Sequence, residues 1–104
     1  MLIRYKDQDS QDWENVSVKN IHVTIDLEDV IFGDIRMSPT TELSSLLTSG
    51  EKLDIEFSRA ADDDFDVVIL SGIVMTGESF GSGEGFQEPL TSYHFRADSL
   101  QVHD

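Results

Sequence analysis

Apolar residues fall on every second position along much of this chain, and on the three-to-four spacing of a helix only once. Ile21, Val23, Ile25 and Leu27 alternate with His22, Thr24 and Asp26. Leu53, Ile55 and Phe57 alternate with Asp54, Glu56 and Ser58, and Tyr93 and Phe95 with His94 and Arg96. Successive strand residues point to opposite faces, so each run predicts a strand with one buried and one wet side. Met1 to Lys6 and Val30 to Phe32 read as further strands. Phe65 to Met75 reads as a strand buried on both faces and interrupted at Ser71-Gly72. Leu100 and Val102 continue the last strand past an expected bulge. Glu28-Asp29 and Gly33-Asp34 predict a break and a turn or bulge, Arg59 to Asp64 a turn, and Gly77 to Pro89 a glycine-rich loop. Trp13 is expected to anchor the polar Asp7–Asp12 loop to the core.

The helical exception lies in the middle. Ser38 is the expected N-cap and Pro39 the first helical residue, where a missing N–H costs nothing. Leu43, Leu46 and Leu47 form one apolar stripe, and Gly50 supplies the left-handed stop. One helix cannot serve the crossovers that parallel strands need, so the strands pair antiparallel. The fold class predicted is mostly β (α+β): one domain over residues 1–104, an antiparallel barrel or sandwich of about six strands, with one helix over about 39–49.

Twenty-one acids against seven lysines and arginines give a net charge of −14. No lysine or arginine lies between Arg59 and Arg96, a stretch holding Asp62, Asp63, Asp64, Asp66, Glu78, Glu84 and Glu88. Such a surface repels nucleic-acid phosphates and anionic lipid and attracts basic proteins, so protein partners are expected, without direct nucleic-acid or membrane binding. There are no cysteines, which removes disulfides, thiolate metal sites and a cysteine nucleophile. No signal peptide is legible, and the expected setting is the cytoplasm, with assembly into a virion or secretion particle.

Chemical motifs are weak. Asp62, Asp64 and Asp66 occupy the first, third and fifth positions of a calcium loop, but Val67 and Ile73 stand where an EF-hand needs Gly and Glu. A solvated acidic turn is the reading, with a weak surface calcium site as the alternative. Gly81-Ser82-Gly83-Glu84-Gly85 lacks the spacing and the lysine of a phosphate loop. His22, His94 and His103 read as surface histidines, since nothing in their spacing brings them together. No catalytic residue, metal or cofactor is expected, and the chain reads as a binding protein rather than an enzyme.

One order of elements resembles a known family. Ser38-Pro39, the leucine stripe and Ser49-Gly50-Glu51 are similar to the helix of the type VI secretion tube proteins, the haemolysin-coregulated protein family. The strand Lys52–Arg59, the apolar strand Phe65–Leu70, Ile73-Val74-Met75, Gly81-Ser82-Gly83 and the alternating Tyr93–Val102 follow in the same order, as does Asn15–Thr24 upstream. The chain is shorter at its N-terminus and more acidic than that family. The resemblance implies a β-barrel flanked by one helix, and a structural role in a contractile injection or phage-tail apparatus. It also implies ring assembly, with Gly81, Ser82, Gly83 and Gly85 in the loop between subunits. The runner-up is an acidic inhibitor, an immunity protein or DNA mimic, whose Asp62, Asp63, Asp64, Asp66, Glu78, Glu84 and Glu88 occupy the cleft of a basic nuclease or DNA-binding protein.

Overall fold

The computed structural model describes residues 1–61, 64–81 and 90–103. The elements run β1 (Leu2–Asp7), β2 (Glu14–Ser17), β3 (Asn20–Ile25), β4 (Ile31–Met37), α1 (Glu42–Thr48), β5 (Leu53–Ala61), β6 (Asp64–Gly81), β7 (Leu90–Ala97) and β8 (Ser99–His103). All strand pairs are antiparallel, in the order β2-β1-β5-β6-β7-β4-β3, with β8 also on β6. Among the described residues eight strands appear where about six were expected. The Asn15–Thr24 region divides at Val18-Lys19 into two strands with different partners, and the C-terminal run divides at Asp98.

The eighteen-residue β6 is what curls the sheet. Its first half lies between β5 and β8, and its second half pairs with β7. The change of partner follows Gly72, whose φ of 69° is left-handed, and the Asp54 carboxylate accepts the Gly72 N–H at 3.1 Å. The left-handed backbone disfavours any side chain at Gly72, and a Cβ there would also lie 2.2 Å from an Asp98 carboxylate oxygen, which would have to move aside. The Asp98 N–H donates to the Ser71 carbonyl at 2.9 Å, which holds the β7–β8 corner against the same bend. The interruption expected at Ser71-Gly72 is therefore a bend within one strand. β6 is also not buried on both faces: Val68, Leu70 and Ile73 are buried, while Val67 and Ile69 remain half-exposed on the outer side.

Inward-facing residues of every long strand meet in one core that includes Ile3, Tyr5, Ile35, Met37, Ile55, Leu70 and Phe95. The helix closes one end of it, with Leu43 and Leu47 fully buried and Leu46 packed against them. Its start differs from expectation. Thr41 is the N-cap and accepts the Ser44 N–H at 3.2 Å. The Ser38 hydroxyl is bound instead to the Thr40 N–H at 3.3 Å, so Ser38-Pro39 makes a turn before the helix. Gly50 ends the helix with φ 85°, as its position predicted.

Other expectations are also corrected. Gly33 sits inside β4, not in a turn or bulge: a Cβ would lie 2.0 Å from the His22 carbonyl oxygen and 2.9 Å from the Phe95 ring. Gly77 is paired with His94 within β6, and the strands around the expected Arg59–Asp64 turn run on to Ala61 and from Asp64. Leu27 lies in the β3–β4 turn and is fully exposed rather than inward. Trp13 is half-buried outside the core, with the Arg4 and Lys6 cations over its ring at 5.3 and 5.5 Å.

Candidate assembly surface

Among the described residues, β2, β3 and β8 each pair with a single strand, so each presents an open edge. Unpaired strand edges are templates for another chain. Between β3 and β8 the barrel does not close, and a groove of about 440 Å³ opens there. It is lined by Ile21, Val23 and Ile25 from β3, Phe57 from β5, Val68 from β6, and Leu100 and Val102 from β8. Ile25 is 52% and Val102 44% exposed, which is high for inward-pattern residues. Among the described residues, the alternation that fills the closed end thus continues past the point where anything covers it. A lining of this kind excludes water from an apolar partner and supplies no acid, base or nucleophile.

The outer faces carry the charge. On β1 and β5, Arg4 pairs with Glu56, and Lys6 meets Asp54 at 3.0 Å. Lys52 lies 3.5 Å from Asp98. The buried Tyr5 hydroxyl donates to Glu14 at 3.0 Å. Burial, then that hydrogen bond and the nearby Glu42 carboxylate, push the Tyr5 phenol well above its ordinary range.

Across β3, β4 and β7 the outer face consists of three rows. Asn20, Arg36 and Ser92 form one, His22, Asp34 and His94 the next, and Thr24, Phe32 and Arg96 the third. His22 Nδ1 lies 3.8 Å from Asp34, and His94 Nε2 is 3.4 Å from the Ser79 hydroxyl. Both histidines are exposed, as expected, but the sheet sets them on either side of one carboxylate. Their sequence separation hides this, because only the strand register makes them neighbours. No group of three ligating side chains among the described residues is placed to hold a metal ion.

Of the acidic residues singled out in the sequence, Asp66 is half-buried in the first half of β6 and Glu78 is exposed in the second. Asp64 pairs with Ala61 at the start of β6, and Gly81 with Leu90 at its end. Asp62, Asp63, Ser82, Gly83, Glu84, Gly85 and Glu88 lie outside the described residues. The apolar groove and the histidine–aspartate row are the features that the sequence alone did not reveal. No helix among the described residues is long and apolar enough to cross a membrane.

Solved structures share this partly open antiparallel barrel with one helix. A crystal structure of an Hcp protein superposes with a TM-score of 0.67 at 11% identity, covering 98% of this chain and 89% of that one. A chain of the anti-feeding prophage baseplate, seen by electron cryo-microscopy, gives 0.66 at 7% identity over 98% and 91%. Hcp1 from Flavobacterium johnsoniae gives 0.53 at 12% identity over 98% and 94%. No protein-family model and no curated protein matches the sequence. The fold implied by the resemblance is present at a sequence distance where only the fold is shared.

Proposed function

We propose that this chain is a non-enzymatic structural subunit of a tube-like or baseplate-like assembly, of the kind found in contractile injection and phage-tail particles, and that it self-associates into rings. The observation that carries this reading is the apolar groove between the open edges of β3 and β8, on a fold shared with Hcp and with a baseplate chain. A monomer gains nothing from leaving Ile25 and Val102 in water, whereas a neighbouring copy would cover them. Edge pairing would add main-chain hydrogen bonds to that burial. The acidic-inhibitor reading needs one continuous carboxylate surface. The two singled-out acids whose side chains are described, Asp66 and Glu78, occupy different halves of β6, which does not favour it. Absolute mass by light scattering over a wide concentration range tests the proposal. A ring-sized particle, seen as a ring by electron microscopy, supports it, and a monomer at every concentration overturns it.

A further inference from the structure

We propose that the β3–β4 turn of one copy docks on the outer face of β3–β4–β7 of the next, an inference that rests on the self-assembly reading above.

The turn is built as a rigid knob. The Asp26 carboxylate accepts the N–H groups of Glu28 at 2.8 Å and Val30 at 2.9 Å. The Asp26 N–H donates to the Val30 carbonyl, and the Asp29 N–H to the Asp26 carbonyl, both at 3.1 Å. Asp29 completes the reversal with φ 62°. Asp26 is therefore spent on the turn. What remains outward is Leu27, fully exposed, beside Glu28 and Asp29, which are also exposed. This leucine serves no packing role in its own chain.

The receiving face has the opposite character. Phe32 is 40% exposed and is paired across the ladder with Arg96. Arg36 lies two rows away on the same face. Among the described residues Arg36 and Arg96 make no ion pair, although Arg4, Lys6 and Lys52 all do. In a chain with three acids for every base, two unpaired cations on one face are a surplus awaiting carboxylates. The only acid in the three rows is Asp34, between His22 and His94.

An apolar knob next to two carboxylates thus complements an aromatic ring beside Arg96 on a face that also carries Arg36. The two surfaces cannot meet within one chain. They belong to the same hairpin, and the turn is locked beyond the Ile25–Ile31 pair. Knob and face differ, so the contact is heterologous, the type that closes into rings or propagates as a filament. It sets register, while the groove supplies apolar area.

Salt screens both this attraction and the repulsion between copies of net charge −14, so the test changes charges instead. One variant carries Arg36→Glu with Arg96→Glu, the other Glu28→Lys with Asp29→Asn. All four positions are exposed, and circular dichroism checks that each variant folds. Each alone is expected to associate at least about tenfold more weakly than the wild type, and an equimolar mixture to recover the wild-type mass, since both contacts are again complementary. Folded variants that each assemble like the wild type overturn the docking and leave the assembly reading standing. A mixture that stays unassembled also overturns the docking alone. A wild type that never assembles overturns the assembly reading, and the docking with it.

Discussion

The two ends of this barrel are made from the same alternating strands and finish differently. At one end Leu43 and Leu47 cover the apolar rows and are completely buried. At the other, Ile21, Val23, Ile25, Leu100 and Val102 continue the rows into an open groove. The closed end is buried within the chain. At the open end Ile21, Val23 and Leu100 still pack against the core, while Ile25 and Val102 stand exposed, and in the proposed assembly these are what a second copy would bury. Apolar patterning alone therefore does not say whether a residue serves folding or association, because that depends on what the chain has left to place over it.

The contrast can be broken by substitution. Leu47→Ala should cost about 2–5 kcal/mol, from lost burial and the cavity left behind, read as a lower urea midpoint with an unchanged slope. A loss below about 1 kcal/mol would mean that the helix does not close the core. Tyr5 lies on the closed side and makes stability pH-dependent. Its folded pKa is raised above the ordinary value of about 10, so its contribution is complete below that pH and fades as pH climbs above it. Alkaline titration of unfolding should show this decline, and Tyr5→Phe should flatten it. Thr41→Ala removes the helix cap and should cost about 1 kcal/mol, whereas Ser38→Ala should cost less if Thr41 is the true cap.

Ile25→Asp is the corresponding change at the open end. Stability should move by about 0.5 kcal/mol or less, while the association measured by light scattering should be lost. A large loss of stability with association intact would reverse the assignment of the two ends. On the outer faces, a double-mutant cycle on Arg4 and Glu56 should give a coupling of about 0.2–1 kcal/mol, as expected for a solvent-accessible pair. A larger value would mean that this face is organised more rigidly than its exposure suggests.

Much of this architecture was legible in the residues. The strands at Leu53–Phe57 and Tyr93–Phe95 follow directly from strict alternation, and the helix from its leucine stripe and Gly50. Helix onset was not legible, because Ser38 and Thr41 are equally competent caps and only the turn geometry decides which oxygen reaches the free amides. Gly33 and Gly77 read as loop signals because a glycine looks the same in a turn as it does in a strand. Gly33 is required by the approach of the His22 backbone and the Phe95 ring from other strands. Leu27 continued the inward alternation on paper, but the Asp26 side chain reverses the chain just before it. The candidate site was less legible than the fold, since the groove joins β3 to β8 and the histidine row joins the β3–β4 hairpin to the distant β7.

The sequence by itself determined that the chain would form antiparallel strands around one helix and carry a strongly acidic surface, because alternation, capping and charge are local properties. Tertiary structure alone decided which strands lie side by side, where the barrel stays open and which cations lack a partner among the described residues. Those outcomes depend on register and on the bend of β6 at Gly72, which Asp54 of β5 and Asp98 at the β7–β8 corner hold.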